Sequence, residues 1–423
     1  MAKYPTAGTR RRTALLAVAV AAAGLNMRSP ITSLPPLFPE LSHRLHLSSA
    51  ALSLLAATPV ICFGLGAAFA ASLSRRFGEE RVLLAALGAV VAGLALRGLA
   101  PGTLLFPGTI LATGAIALLN VLMASMIKRR WPERAGVGIG IFLTGLSVGA
   151  IVASLISVPF YHASGDSVPL TLGVWAAPAA IAAVLWVPQA FPRGDDPPGD
   201  RLATGGNLPP RPLAVHRHAL AWQVTAFLGL QSLLYYAALS WLPTMFRDRG
   251  ASAVTAGNLL ALMGLGNLAM SLLIPVLAQR LTQRGLGQRR LVVPSMMGTA
   301  AGLAGSVWAP LGSATAWVLL LGVSQGASLA LAIYFTMARA PDPAAAASLS
   351  GLAQSVGYLV ASTGPLALGL LHSATGGWDA PFALLLAIAV AQLVSGLLAG
   401  RHKVLPDSAN PTRVSVSDQV IQG

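Results

Sequence analysis

One arginine stands inside the first long apolar stretch of the chain. In the segment GLNMRSPITSLPPLFPEL, residues 24–41, Arg28 is surrounded by apolar and small polar residues. A guanidinium group is ionised at every physiological pH and presents five N–H donors in a fixed fork. No aspartate or glutamate falls deep within an apolar stretch, and the nearest, Glu40, lies at the far end of the first one. A permanent cation without a counter-ion from the chain favours binding of an anion or a strongly dipolar molecule.

The depth of this arginine can be estimated if the stretch is a membrane-spanning helix. Arg28 then lies roughly 22 Å from the inner end, past the middle of the bilayer. A guanidinium at that depth costs at least about 2.5 to 3.5 kcal/mol on insertion scales, so it should face a bundle interior or a wet cavity. Two alternatives remain open. Backbone carbonyls freed near Pro30, Pro35 and Pro36 could satisfy the group, or the side chain could extend outward to the membrane surface.

Nine further polar residues of the apolar stretches could line the same cavity. Thr32 shares a helical face with Arg28, whereas Asn26, two residues away, does not. Gln354 and Tyr358 also share a face, being one turn apart. For each of the nine, contact with a ligand and packing between helices are both open. The candidate solute-binding residues are Arg28, Thr32, Asn26, Asn120, Gln231, Tyr235, Tyr236, Gln325, Gln354 and Tyr358.

The composition indicates a membrane protein. The 423 residues are 55% hydrophobic and 10% charged, and the mean hydropathy is +0.70, which is more apolar than a soluble core of this length requires. The net charge of +15 could suggest nucleic acid, but the basic residues separate apolar runs and form no stripe on a soluble domain. We therefore expect the lipid bilayer as a partner and no nucleic acid. The single cysteine, Cys62, excludes a disulfide framework.

Twelve apolar stretches are long enough to cross a membrane, which takes about 20 helical residues each. We therefore predict an all-α membrane protein. The expected spans are 13–39, 48–73, 82–100, 103–127, 135–160, 169–188, 219–246, 252–277, 291–309, 313–338, 346–371 and 378–400.

The basic residues predict the orientation. Lysine and arginine are retained on the cytoplasmic side of short loops. If both termini are inside, the inner segments hold 23 of the 28 lysines and arginines. We expect a multi-pass protein of the plasma (inner) membrane with both termini in the cytoplasm.

A proline-rich and charged stretch divides the chain. Residues 191–218 predict a cytoplasmic linker between an N-terminal six-helix bundle, 1–190, and a C-terminal bundle, 219–400, followed by a cytoplasmic tail, 401–423. LSVGAIVAS at 146–154 matches QSVGYLVAS at 354–362 in six of nine positions, an offset of 208. An offset of 205 pairs GLN at 24–26 with GLQ at 229–231. Two six-helix repeats are the architecture of major facilitator carriers, whose substrate site lies between the halves; chance similarity of apolar helices is the alternative.

Four segments carry a resemblance to a known family: LNMRSPITSLPPLFPEL, ALLNVLMASMIKRRWPERAG, LGLQSLLYYAALSWLPTMF and SLSGLAQSVGYLVASTGPLALGLLHSATGGW. They resemble the cyanate and 2-nitroimidazole transporter family of the major facilitator superfamily. The resemblance implies a twelve-helix secondary carrier that moves a small polar or anionic solute by alternating access. It does not identify the solute.

The loop ASLSRRFGEER, residues 71–81, resembles the cytoplasmic motif that this superfamily carries between helices 2 and 3. Arg76 and Gly78 match the motif, whereas Arg75 stands in place of its aspartate and two glutamates, Glu79 and Glu80, replace its basic residues. We take Arg75, Arg76 and Gly78 as a candidate gating loop. The usual latch of the motif is in doubt, and a version with swapped charges is an option.

Enzyme-like patterns are better explained by helix packing. GLSVG at 145–149 fits the Gly-x-Ser-x-Gly elbow, but it lies inside an apolar helix, where Gly145 and Gly149 favour close helix approach. There is no phosphate loop, and the seven histidines lack metal spacing. We expect no catalytic residues, no cofactor and no metal, and a monomer. Broad efflux of hydrophobic drugs, and a membrane sensor or channel without turnover, are the alternative functions. How transport would be driven is left open.

Overall fold

The computed structural model describes residues 7–191, 215–284, 286–401 and 403–406. Most of the expected linker, 191–218, and of the expected tail, 401–423, lies outside the described residues. The helices of the described part are α1 (Ala7–Thr32), α2 (Phe38–Leu45), α3 (Ser49–Phe77), α4 (Glu79–Leu99), α5 (Pro101–Arg130), α6 (Ala135–Ala163), α7 (Val168–Gly173), α8 (Ala176–Ala190), α9 (Ala219–Asp248), α10 (Ala253–Gln283), α11 (Arg289–Trp308), α12 (Ala314–Ala338), α13 (Pro343–Ala361), α14 (Thr363–Thr375) and α15 (Asp379–Ala399).

These helices form twelve spans that are long and apolar enough to cross a membrane, counted over the described residues. The predicted all-α fold with twelve spans is confirmed. Three spans are composite: α1 with α2, α7 with α8, and α13 with α14. Some helices extend beyond the ends of the apolar stretches from which the spans were predicted. The eighth span was expected to end at 277, but α10 continues to Gln283, because a helix can extend past the membrane with polar residues.

The first span breaks shortly after Arg28, and proline explains where. Pro35 and Pro36 have no N–H group, so the carbonyls four residues earlier in the chain lose their usual partners. The α-helical hydrogen bonding of α1 stops at Thr32, and the chain continues as a short 3₁₀ turn, Pro35–Leu37, into α2. The span thus consists of two helical pieces joined by a bend.

Glycines bring the helices of the two repeats into similar close contacts. A Cβ atom added at Gly149 of α6 would lie 2.0 Å from the carbonyl oxygen of Leu25 in α1. In the second repeat, Gly229 of α9 meets Gly357 of α13, where an added Cβ would lie 3.0 Å from the facing Cα. The expected close approach at Gly149 is confirmed, and the two six-helix repeats use matching contacts.

Two arginines, the half-buried Arg249 and the buried Arg339, cap helix ends in the second half. The guanidinium of Arg249 donates to the carbonyls of Ser306 and Ala309 at the end of α11. Arg339 donates to the carbonyl of Ala399 at the end of α15, with Nε 2.9 Å from the oxygen. Burial lowers the pKa of Arg339 below its usual value. Positive charge at a helix C-terminus is favourable because the last carbonyls have no partners within the helix.

Two faces of the bundle follow from the alternation of the spans. We call the face that carries residues 46–48, 164–167, 249–252 and 376–378 the distal face, and the opposite face, which carries residues 78, 131–134 and 339–342, the proximal face. We refer to α1–α8 as the first half and to α9–α15 as the second half. The halves pack tightly towards the distal face. A Cβ added at Gly369 would lie 1.8 Å from the hydroxyl oxygen of Ser53 in the opposite half.

Candidate functional site

Arg28 lies on α1 at the boundary between the two halves. Its side chain is half-buried, and its Nη1 atom is fully buried without a hydrogen-bond partner among the described residues. The guanidinium carbon is 5.7 Å from the ring centre of Tyr236 on α9, in cation–π geometry. An aromatic ring stabilises a cation through its quadrupole but accepts no conventional hydrogen bond at this distance. A donor of Arg28 therefore remains available in a buried position.

The two alternative explanations for Arg28 find no support in the geometry. The carbonyl of Pro30 accepts a hydrogen bond from Nη1 of Arg97 at 3.2 Å, and the Arg28 guanidinium makes no hydrogen bond to a backbone carbonyl of the described residues. Nor does the side chain extend to open water, because its Nη1 is buried. Within the described part of the chain, no ion pair includes Arg28. Among the described residues, the guanidinium thus has neither a carboxylate nor a backbone carbonyl as partner, and its Nη1 is unpaired.

Aromatic side chains from both halves surround this cation. The guanidinium interacts electrostatically with the phenol groups of Tyr235, Tyr236 and Tyr358. Phe63 of α3 packs against two of these rings, with centroids 6.4 Å from Tyr236 and 5.9 Å from Tyr358. Tyr235 and Tyr236 meet edge to face at 5.3 Å. We call Phe63, Tyr235, Tyr236 and Tyr358 the aromatic cage.

Sequence reasoning identified the three tyrosines of the cage but missed Phe63. A phenolic hydroxyl inside an apolar span requires a hydrogen-bond partner, and for this reason the sequence indicates the tyrosines as candidate site residues. Phe63 lies in an apolar run of α3 that also contains Phe69, which is 59% exposed. Only the packing of α3 against α9 and α13 separates the two phenylalanines, and no feature of a single sequence encodes it.

The two glutamines of the second half bind each other. Nε2 of Gln231 lies 3.1 Å from Oε1 of Gln325 and 3.3 Å from the Gln325 backbone carbonyl. Both side chains are buried, and Nε2 of Gln325 has no partner among the described residues. This pair joins α9 to α12, so packing between helices accounts for most of its hydrogen bonds.

Asn26 and Thr32 bind carbonyls within the first half. Nδ2 of Asn26 donates to the carbonyls of Ala22, at 2.8 Å, and Pro178, at 3.0 Å. The hydroxyl of Thr32 lies 3.1 Å from the carbonyl of Ala150 on α6. Both side chains are buried. The structure therefore uses them to hold α1 against α6 and α8, and the polar groups that remain near the Arg28 guanidinium are the tyrosine hydroxyls.

The two remaining polar candidates lie outside the cage. Gln354 is exposed one turn before Tyr358 on α13, and its Nε2 donates to Ser350 Oγ at 2.8 Å. Asn120 is half-buried on α5. Neither is in contact with the aromatic rings by any hydrogen bond of the described residues. No group of three or more histidine, cysteine, aspartate or glutamate side chains in the described residues is arranged to hold a metal ion.

The candidate gating loop is a one-residue turn between α3 and α4. Gly78 has φ +85°, a conformation that glycine adopts without steric cost. Arg75 and Arg76 are exposed. The following glutamates pair with the end of α5: Arg129 lies 3.0 Å from Glu79 and also binds Glu80.

These ion pairs involve the two glutamates that replace the basic residues of the motif. The carboxylates are in the first turn of α4, where the positive end of the helix dipole favours them, and Arg129 and Arg130 end α5, where positive charge is favoured. Arg130 lies 3.3 Å from Glu80. The basic residues that end α5 thus have a structural role, because they bind the start of α4.

Comparison with known proteins identifies the family. The model of the Major Facilitator Superfamily matches residues 14–365 of the chain. The chain belongs to the major facilitator superfamily. Two curated relatives in this superfamily come from Escherichia coli (strain K12). The 2-nitroimidazole transporter is 35% identical over 377 residues, covering 89% of this chain and 93% of the relative.

The second relative and a solved structure agree with this assignment. The cyanate transport protein CynX is 29% identical over 357 residues, covering 84% of this chain and 89% of the relative. The crystal structure of a D-xylose-proton symporter superposes with a TM-score of 0.72 at 17% identity, covering 92% of this chain and 99% of the symporter. The resemblance seen in the sequence is confirmed, and the major facilitator fold is that of a transporter.

Proposed function

We propose that this major facilitator protein is a secondary active transporter that moves a small anionic or polar solute by alternating access. A cyanate-like anion and a nitroimidazole-like heterocycle are the model solutes, in keeping with the names of its two relatives. The two halves would rock about the Arg28 site, as in other carriers built from repeats. The chain would act as a monomer without a cofactor.

One observation carries this proposal: the buried Nη1 of Arg28 has no partner among the described residues. A buried charge without a counter-charge is costly, so a ligand that brings negative charge or a strong dipole gains affinity there. The phenol groups of Tyr235, Tyr236 and Tyr358 add donors around the same guanidinium. A solute with several acceptor atoms could therefore bind Arg28 and at least one phenol together.

Orientation and division into bundles belong to the same proposal. We place the distal face outside the cell and the proximal face in the cytoplasm, because the proximal loops carry most lysines and arginines. The N-terminal bundle would span residues 1–190 and the C-terminal bundle 219–400, connected on the cytoplasmic side of the inner membrane.

Binding and transport by charge-matched variants test the function. Purified protein is titrated with cyanate and 2-nitroimidazole, and uptake of each labelled solute is followed in proteoliposomes. We expect Arg28→Met to lose at least tenfold in affinity, because it removes the charge but keeps a long side chain. Arg290→Met, which removes an exposed charge at the proximal end of α11, should bind and transport as the wild type does.

The same assays separate the alternatives. Unchanged affinity and uptake in a well-folded Arg28→Met protein would show that the site assignment is wrong. Counterflow of labelled solute distinguishes a carrier from a channel or sensor, because only a carrier exchanges solute across the membrane by turnover. Binding of hydrophobic drugs without binding of either model solute would favour broad efflux.

A further inference from the structure

The bend in the first span separates the cage from the distal face. Arg28 precedes the bend and Glu40 follows it, with Pro30, Pro35 and Pro36 between them. The last carbonyls of α1, that of Pro30 included, lack N–H partners within the helix because the helix ends at Thr32. Those of Ile31 and Thr32 face Pro35 and Pro36, which have no N–H group. An end of this kind, buried in a membrane, needs donors from elsewhere in the protein.

Arg97 of α4 supplies one of these donors. Its Nη1 atom lies 3.2 Å from the carbonyl oxygen of Pro30, two residues after Arg28. The Arg97 side chain is 0% exposed. A cation at the C-terminal end of α1 also interacts favourably with the helix dipole, typically by about 0.3–1 kcal/mol and by up to about 2 kcal/mol when buried. Arg97 therefore ties the end of α1 to α4.

Stability alone does not explain an arginine at this position. Two donors of Arg97, Nε and Nη2, are buried without partners among the described residues. Burying a charge under these conditions costs several kcal/mol, and apolar side chains of similar volume usually do as well or better. A residue kept despite this cost points to a role beyond packing.

The side chain is confined from its other side by α5. A Cβ added at Gly108 would lie 2.9 Å from Cγ of Arg97 and 2.5 Å from the carbonyl oxygen of Gly93. Glycine at position 108 thus leaves room for the arginine between α4 and α5. Packing against α5 restricts the Arg97 side chain, and its hydrogen bond to the Pro30 carbonyl in turn restricts the end of α1.

We propose that Arg97 is a positioning residue for transport: it anchors the end of α1 so that Arg28 faces the aromatic cage. The two membrane arginines then have different tasks, Arg28 binding solute and Arg97 orienting the helix that carries it. This inference rests on the proposed function, because its readout is solute affinity.

Affinity and stability measured together test this role. Arg97→Met should bind 2-nitroimidazole and cyanate at least tenfold more weakly than the wild type. Arg97→Lys should recover part of the loss, since an ammonium group can donate to the Pro30 carbonyl. Leu303→Ala serves as the stability control. It creates a cavity in the second half, because Leu303 is 0% exposed. It should lower the melting temperature and leave both affinities unchanged.

A second pair of variants keeps the charge and so covers the case in which Arg97→Met does not fold. Gly108→Ala adds a methyl group that clashes with the Arg97 side chain, so it should weaken binding of both solutes. Gly102→Ala should leave binding unchanged, because no atom lies within 4 Å of an added Cβ at that position of the same helix. Equal affinities for Gly108→Ala and Gly102→Ala, or for Arg97→Met and Leu303→Ala, overturn the positioning role and leave the proposed function intact. A wild type that binds neither solute overturns both.

Discussion

Glu40 and Arg247 join the two halves at the distal face. Nη1 of Arg247, near the end of α9, lies 2.6 Å and 2.8 Å from the two carboxylate oxygens of Glu40 on α2. The Arg247 side chain is 24% exposed and that of Glu40 is 12% exposed, so water screens this ion pair less than a fully exposed one. Phe38 and Trp241 pack edge to face across the same boundary, with centroids 5.8 Å apart. Together these contacts join the two halves on the distal side, and we expect them to keep that side closed.

Removing the charge of Glu40 should open this side. A loss of about 1–2 kcal/mol changes a two-state ratio about 5- to 30-fold. Ser240 lines a small cavity with Phe38 and Tyr236 beneath the ion pair, so Ser240→Cys in a Cys62→Ser background reports on opening. We expect Glu40→Gln to raise the rate at which a membrane-impermeant maleimide, added outside, labels this cysteine.

Two further variants make the gate test specific. Arg249→Met removes a charge two residues from Arg247, but Arg249 caps α11 within the second half, so labelling should stay at the starting rate. The charge swap Glu40→Arg with Arg247→Glu should return labelling toward that rate. If the swap labels as fast as Glu40→Gln, the ion pair does not hold the distal face closed.

The glycine contact between α1 and α6 predicts a large effect of one methyl group. A Cβ at Gly149 would lie 2.0 Å from the Leu25 carbonyl oxygen, and overpacking of this kind costs about 1–3 kcal/mol. We therefore expect Gly149→Ala to lower the melting temperature. Gly140→Ala, on the same helix with no atom within 4 Å, should raise stability slightly, because alanine favours helix by about 0.8–1 kcal/mol over glycine. Equal melting temperatures would show that α1 and α6 can separate without cost.

The spans and the central cation could be predicted because both depend on one-dimensional signals. Twenty apolar residues in a row are specific to a membrane helix, and a charge such as Arg28 within them stands out. The repeat at Gly149 and Gly357 was equally visible, and the structure shows glycine contacts at both positions. Fold class therefore followed from length, polarity and repetition.

The functions of individual polar residues depend on neighbours in space, which the sequence does not list. Arg28 and Arg97 look alike as membrane arginines, yet one faces aromatic rings and the other caps α1. Gln231 could have faced a solute, but its nearest acceptor is Gln325, 94 residues away. The side chain of Phe63 has no polar atom that would identify it from the sequence as a site residue. Helix rotation and pairing decide these roles, and apolar patterning inside a membrane constrains rotation only weakly.

The charge pairs beneath the candidate gating loop should not act as a gate between the halves. Glu80 binds Arg129 and Arg130, and all three lie in the first half. Arg129 is 36% exposed and Glu80 16%, and an ion pair near the surface typically contributes about 0.2–1 kcal/mol. We expect Glu80→Gln to lower the free energy of unfolding by less than about 1 kcal/mol and to leave labelling of Ser240→Cys unchanged. An increase in labelling similar to that of Glu40→Gln would instead assign these pairs a role in the conformational equilibrium.

The aromatic cage should discriminate between solutes by shape. Phe63 contacts the rings of Tyr236 and Tyr358, and each aromatic pair contributes about 0.5–1.5 kcal/mol beyond its buried area. Phe63→Leu should therefore weaken binding of 2-nitroimidazole, a planar ring that can stack in the cage, by about 3- to 10-fold. Cyanate has no ring to stack, so its affinity should fall less. Titration of the purified variant with both solutes gives the ratio.

A matched phenylalanine on the same helix provides the control for the cage. Phe69 is 59% exposed on α3, so Phe69→Leu removes the same atoms from an exposed surface outside the aromatic cage. Its affinities for both solutes should equal those of the wild type. A parallel loss of both affinities in Phe63→Leu would mean that Phe63 only supports the fold around Arg28, because a packing defect weakens every ligand of the guanidinium alike. A loss confined to the ring-shaped solute would place that solute against the Phe63 ring.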